Sequence, residues 1–310
     1  YSFRSLRDAI DTFVKYAGTN NPDSPIKGGL AIFAAGNDGD IYGDLKMYPA
    51  AYSPVIAVAS MDWRYLPAYY TDYGTWVDIT APGGDLIAGL QTNGYYADGS
   101  AVLSTILCDD AIDYQDGRKK DSNYGYGFMQ GTSMACPHIS GVAALGLAYA
   151  SQLGKQYTAE EYTALLLSSV TGIDDRFSGT KRGNGTTMTL SSYRGKMGGG
   201  CIDALKLLLA IKGTPAVYVS SAGTSKTDLS RFFGGANSPI VLTDVQIAAA
   251  DMAKIGMTVK PSISGSSLEF RCTQPGTAMF TVTALVGDTS VTREFACVAR
   301  AGLASNGGWL

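Results

Sequence analysis

The run Gly131-Thr132-Ser133-Met134-Ala135-Cys136-Pro137-His138 constrains this chain more than any other stretch. A serine stands among small residues, directly ahead of Ile139-Ser140-Gly141-Val142-Ala143-Ala144-Leu145. That second run is apolar, small-rich and helix-permissive, the pattern of a helix buried in an α/β core. At such a helix N-terminus, unpaired backbone N–H groups and the positive dipole end favour a developing anion. Pro137 is expected to cost little there, because first-turn N–H groups lack intrahelical partners. Residues 29–35 form a continuous apolar run without alternation, which predicts a strand covered on both faces. Val55 to Ser60 and Trp76 to Thr80 read as further strands.

The serine run matches the motif G-T-S-M-A-x-P-H-x-x-G residue for residue, and the chain resembles the subtilisin-like serine proteases, or subtilases, at that point. Gly29-Leu30-Ala31-Ile32-Phe33-Ala34-Ala35-Gly36-Asn37 is similar to the family's buried strand ending in A-A-G-N. Tyr48-Pro49-Ala50 with Val55-Ile56-Ala57-Val58 resembles its Y-P-A…VIAV segment, and Val77-Asp78-Ile79-Thr80-Ala81-Pro82-Gly83 its VD…APG turn. Four motifs in family order exclude coincidence as an explanation. The resemblance implies Ser133 as nucleophile, Asn37 as oxyanion donor, and Ala34, Ala35 and Gly36 as a wall of the primary specificity pocket. It also implies a cis Tyr48-Pro49 bond. Asp38, beside Asn37, is a candidate for favouring a basic substrate side chain. An α/β-hydrolase is excluded, because G-x-S-x-G requires glycine where Ala135 stands.

Subtilases present their triad in the order Asp, His, Ser. Neither a D-[ST]-G turn nor a histidine precedes residue 29, and the sequence holds one histidine, His138. His138 follows Ser133 by five positions. On a helix that is about 7.5 Å of rise and roughly 140° of rotation, so the two side chains face apart. A general base must come within about 3.2 Å of the hydroxyl, or reach it through one water. His138 is therefore read as a packed helix residue. The expectation is a C-terminal portion of a subtilase catalytic domain, with the triad Asp and His in a missing N-terminal portion and little activity alone. Such an enzyme acts on protein or peptide substrates as an endopeptidase. The competing expectation is a non-catalytic scaffold whose β domain binds a protein or glycan.

A net charge of −3 argues against nucleic acid, which requires clustered Lys and Arg. Arg118-Lys119-Lys120 and Lys181-Arg182 are read as solvated loop faces. No stretch of about 18 apolar residues exists to span a membrane. With 38 glycines and 19 tyrosines the chain reads as turn-rich and tightly packed, which suits a secreted or cell-envelope enzyme. Five cysteines leave at least one unpaired within the chain. Cys136 reads as a buried thiol. Cys201 reads as the opening of the first domain's last helix, while Cys272 and Cys297 lie on strands and could pair. No cysteine or histidine spacing suits zinc. Asp109, Asp110, Asp113 and Asp116 offer hard oxygens to calcium as a structural ion, but lack the D-x-[DN]-x-[DN]-G spacing.

The expected fold is a subtilase-type α/β parallel sheet flanked by helices over residues 1–212, followed by a small all-β, immunoglobulin-like sandwich over 213–300 and a tail over 301–310. Leu6, Ala9, Ile10, Phe13 and Val14 fall on one helical face, which Gly18 terminates. Residues 84–130 read as a decorated surface loop rich in turn dipeptides. Thr158-Ala159-Glu160-Glu161 matches a capping box opening a helix to about Ser169. Beyond Gly213-Thr214-Pro215, strands are predicted at 216–220, 240–242, 268–272, 278–285 and 290–298, with a short helix within 244–255.

Overall fold

A computed structural model describes residues 2–93, 100–105, 126–234 and 239–300. The chain divides into two units, Tyr1–Leu207 and Leu208–Leu310. The first carries α1 (Ser2–Tyr16), β1 (Ile26–Lys27), β2 (Ala31–Ala34), α2 (Gly39–Tyr42), β3 (Val55–Met61), β4 (Ile79–Pro82) and α3 (Leu86–Asn93). There follow β5 (Val102–Thr105), β6 (Tyr126–Met129), α4 (Thr132–Gln152), β7 (Tyr157–Thr158), α5 (Ala159–Ser168) and β8 (Val170–Thr171). A hairpin of β9 (Thr180–Arg182) and β10 (Thr187–Thr189) precedes β11 (Cys201–Ile202), and α6 (Ala204–Lys212) runs across the division.

The main sheet has the order β2-β3-β4-β11-β8, parallel from β2 to β11 and antiparallel at β8. All seven residues of β3 are buried, because β2 and β4 flank it and α4 packs across all three strands. α4 lies close because its buried positions are mostly small: Ala135, Ile139, Ala143, Gly146 and Ala150 recur every three or four residues. Thr158 caps α5 as its motif predicts. Its hydroxyl accepts the Glu161 N–H at 3.1 Å, and its own N–H donates to Glu161 Oε2 at 2.8 Å.

Several expectations need correcting. Both α1 and α4 pack on β2, yet only Ala31 of its four residues is fully buried, and among the described residues β2 stands at the sheet edge. The stripe on α1 is only partly used, with Ile10 buried but Leu6 and Phe13 40% and 51% exposed. Pro137 lies in the second turn of α4, not the first, so it withholds the N–H that the Ser133 carbonyl would accept. Cys201 lies in β11, opposite Thr80 and Thr171, and the helix begins three residues later. Within 84–130, α3 and the β5–β6 ladder are regular structure rather than loop. Residues 94–99 and 106–125, including the four aspartates considered for calcium and Arg118-Lys119-Lys120, lie outside the described residues.

The second unit is a sandwich. β12 (Ala216–Ser220), β13 (Gly223–Asp228), β14 (Ile240–Ile247), α7 (Ala249–Lys254), β15 (Ser262–Ser264), β16 (Ser267–Cys272), β17 (Gly276–Val286) and β18 (Thr289–Arg300) form two sheets. Their orders are β12-β18-β17-β14 and β13-β16-β15, with β12 parallel to β18 and the remaining pairs antiparallel. Both sheets contribute to one apolar core, with Phe270, Phe280 and Phe295 at its centre. Gly287-Asp288 turns β17 into β18 as predicted. β14 continues to Ile247 where a helix was expected from residue 244, because a bulge between Leu242 and Asp244 breaks the alternation. Strands β13 and β15 went unpredicted; neither contains a fully buried residue.

Candidate active site

Asn37 and Ser133 come from segments 96 positions apart, and Thr132 joins those segments. The Asn37 carboxamide accepts the Thr132 N–H at 2.9 Å and the Thr132 hydroxyl at 2.9 Å, both on Oδ1. The same hydroxyl accepts the Gly36 N–H at 3.3 Å. A backbone N–H can only donate, so the atom facing Thr132 must be the oxygen, and the two N–H donors of Asn37 Nδ2 point elsewhere.

Where they point depends on Gly131, at φ +148°, immediately before α4. A Cβ at Gly131 would stand 3.6 Å from the Ser133 backbone nitrogen and 3.7 Å from Asn37 Nδ2. Both nitrogens thus lie close to the one position that a side chain at residue 131 would take, as does Met134 Sδ at 3.6 Å. Met134 and Ala135 return their N–H groups to the Gly131 carbonyl at 2.9 and 3.2 Å, and Thr132 gives its own to Asn37. Among the described residues, the Ser133 N–H has no such partner. Two uncommitted donors at a helix N-terminus face the same space beside an exposed serine.

The turn beneath Asn37 admits only glycine at residue 36. Its φ is +125°, and a Cβ there would lie 1.9 Å from Asp72 Oδ2. Asp72 donates its N–H to the Gly36 carbonyl at 3.0 Å, and its Oδ1 accepts the Asp38 N–H at 2.9 Å. Asp72 therefore grips both residues flanking Asn37. Its Oδ2 is buried without a hydrogen-bond partner. Burial first, then the Asp38 and Asp40 carboxylates, push the Asp72 carboxyl up to about 6. Ala34 and Gly36 are half-buried and Ala35 is buried, its N–H held by the Val58 carbonyl at 2.9 Å.

The other flank is held by Gly83, whose carbonyl accepts the Gly131 N–H at 3.0 Å. A Cβ at Gly83 would meet Ser60 Oγ at 2.0 Å and the Gly131 carbonyl at 2.5 Å. Buried Tyr70 places its hydroxyl 2.9 Å from the Gly83 carbonyl, 2.7 Å from that of Gly84 and 2.8 Å from Ser60 Oγ. Burial drives this phenol well above its ordinary range, so it remains a neutral donor. Behind the turn, Lys181 Nζ reaches Asp62 Oδ2 at 2.8 Å and Asp85 Oδ2 at 2.7 Å, all three side chains being buried. Burial raises the Asp62 carboxyl, but Lys181 and Arg64 together hold it below its usual range. Lys181 is thus no solvated loop residue, although its neighbour Arg182 is exposed.

His138 is turned away from the site: its Nδ1 meets the Met134 carbonyl of its own helix at 2.7 Å. Cys136 is a half-buried thiol, 3.5 Å from the Ile32 carbonyl, and burial raises its pKa. Tyr48-Pro49 is cis. Among the described residues, no group of three or more His, Cys, Asp or Glu could hold a metal ion. Of the site's parts, Tyr70, Asp72 and the Lys181 cluster escaped sequence reading; only glycines at 36, 83 and 131 hinted at close contacts.

A family model described as "Subtilase family" matches residues 3–194. The chain belongs to the subtilases. It is similar to the thermophilic serine proteinase of Bacillus sp. (strain AK1), 34% identical over 119 residues, which are 38% of this chain and 21% of that protein. It is also 30% identical over 185 residues to the major intracellular serine protease of Bacillus subtilis (strain 168), covering 58% of this chain and 44% of that one. Among solved structures, it aligns with a protease from Pseudoalteromonas arctica PAMC 21717 at 30% identity, covering 59% of this chain and 42% of that chain, with a TM-score of 0.39. This subtilase chain thus spans less than half the length of either curated relative.

Proposed function

We propose that this chain supplies the nucleophile and oxyanion hole of a serine endopeptidase, whose general base is a histidine lying outside this sequence. One observation carries the reading: Thr132 holds Asn37 by its Oδ1, leaving Nδ2 and the Ser133 nitrogen 3.7 and 3.6 Å from the same point beside Gly131. Ser133 Oγ attacks a peptide carbonyl, and the oxygen that becomes negative is received by those two donors. The serine needs an adjacent base to take its proton, and the only histidine in the sequence faces its own helix. Among the described residues β2 has no outer partner strand, and this edge, with the exposed apolar residues of α1, supports a further segment of the same catalytic domain lying against it. Ala34, Ala35 and Gly36 form one wall of the pocket for the side chain preceding the scissile bond.

The second unit, 213–300 in this reading, is an immunoglobulin-like sandwich appended to the catalytic portion. Relatives named as extracellular proteases, from Dichelobacter nodosus and Xanthomonas campestris, favour a secreted enzyme. Among the described residues no helix is long and apolar enough to cross a membrane.

A fluorophosphonate probe tests the assignment. In the native gene product it should modify Ser133, located by peptide mass spectrometry, and Ser133→Ala should abolish the adduct. This chain supplied alone should react far more slowly, because loss of the base in subtilisin costs about 10⁶ in kcat. Labelling of another residue, or none in a folded native product, would refute the reading.

A further inference from the structure

The core of the second unit holds two cysteines that peptide hydrolysis does not use. On β16, Leu268, Phe270 and Cys272 are buried and alternate with exposed Glu269 and Arg271. On β18, Phe295, Cys297 and Ala299 alternate into the same core. Period-two alternation therefore aims both cysteines inward, one from each sheet. Both are free thiols in this structure, fully buried in the same core, and each acts electrostatically on the other.

We propose that Cys272 and Cys297 form a disulfide joining the two sheets, and that it is made while the unit folds. Both thiols lose their protons, one S–S bond forms, and two electrons pass to a disulfide oxidant such as glutathione disulfide, which leaves as two thiols. The timing follows from burial. A thiolate, not a thiol, attacks the oxidant, and burial raises both thiols, Cys297 most strongly. Once the core has closed, both sulfurs are buried out of reach of the oxidant. Before it closes, both are ordinary cysteines, and the packing of one sheet on the other brings them together as the core forms. The proposal is independent of the protease reading, since it concerns a unit without Ser133.

The test uses the whole chain, exported to an oxidising compartment and unfolded in N-ethylmaleimide without reductant. Trypsin cuts after Arg271, Arg293 and Arg300, separating the two cysteines into peptides 272–293 and 294–300. These peptides should appear linked and unalkylated. The linked protein should also unfold roughly 10 °C above its dithiothreitol-treated form. Alkylation of both cysteines, or a link from either to Cys108, Cys136 or Cys201, would overturn the bridge. Timing is read separately, by adding glutathione disulfide to reduced protein. Refolding chains should acquire the link at least about tenfold faster than native ones; equal rates would defeat oxidation during folding.

Discussion

The two units are built on opposite interiors. Every buried charged residue among those described, namely Asp62, Asp72, Asp85, Lys181 and Asp203, belongs to the first. The second is filled by aliphatic side chains, phenylalanines and two thiols, with Thr214 and Ser221 its only buried polar residues among those described. An apolar sandwich needs its side chains inward and its volume filled, and tolerates many solutions. A hydrolytic site needs named atoms at fixed separations, so backbone turns must be gripped individually by hydrogen bonds and charges. In the first unit Asp72 grips the turn that carries Asn37, which is one such use of a buried polar group.

Lys181→Met breaks that contrast most directly. It removes the cation shared by buried Asp62 and Asp85, leaving Arg64 on Asp62, and breaking a buried ion pair from one side costs about 3–5 kcal/mol. Phe295→Ala, at the stacked centre of the second unit, should cost a similar 3–5 kcal/mol by leaving a cavity. Calorimetry should separate them. Lys181→Met should lower the transition of the first unit and Phe295→Ala that of the second; a single transition shifted equally by both would mean that the two interiors do not act separately.

Asn37→Ala reads chemistry rather than stability. In the complete enzyme it should lower kcat by about 10²–10³ with KM little changed, the size found for an oxyanion donor in subtilisin. Thr132→Val keeps the carboxamide but removes one of the two donors orienting it. A smaller loss, of about tenfold, is expected there because the Thr132 N–H remains. Equal losses would mean that Thr132 does more than orient Asn37.

What was legible in the sequence follows the same division. The motif runs that carry Ser133 and Asn37 were legible as family signatures because backbone turns demand particular residues in contiguous order. Thr158 was legible because its cap partner is three residues away. Lys181 was not: its partner Asp62 lies 119 positions upstream, and only the period-two burial of β9 hinted that Lys181 and Arg182 face opposite ways. Asp72 was hidden likewise, its contact with Asp38 spanning 34 positions. In the second unit β17 and β18 declared themselves by alternation, whereas the bulge in β14 disguised a strand as a helix. The partial burial of β2 and α1 was invisible, because an apolar residue does not state how much of its surface a neighbour covers.

Asp72→Asn sharpens the comparison through pH. The folded pKa of about 6 lies above the ordinary carboxyl value of 3.8, so the folded state holds the proton more tightly than the unfolded chain. The stability this contributes is fully present below about pH 4 and is lost as pH rises through 6. Over that window the parent should lose about 2–3 kcal/mol that the asparagine variant keeps, since an amide cannot ionise and still offers Oδ1 to the Asp38 N–H. The difference between the two urea unfolding series from pH 4 to 7.5 isolates this group. A flat difference would show that the unpartnered oxygen is solvated.

The smallest effect comes from a part of the first unit remote from its buried charges. Thr158→Ala removes the hydroxyl that accepts the Glu161 N–H and should cost about 1 kcal/mol, a fall of roughly 2–4 °C in the first unit's transition. Fluorophosphonate labelling of Ser133 in the complete enzyme should be unchanged. The reason lies in how α5 joins the rest: Tyr162, fully buried, donates its hydroxyl to the Ala143 carbonyl at 2.7 Å and so ties α5 to the middle of α4. Fraying the first turn of α5 leaves that tie intact, and the N-terminus of α4 is separately held by Asn37 and Gly83. If Thr158→Ala instead slowed labelling, the positioning of Ser133 would depend on the whole helical layer and not on the local grips that set this unit apart from the sandwich.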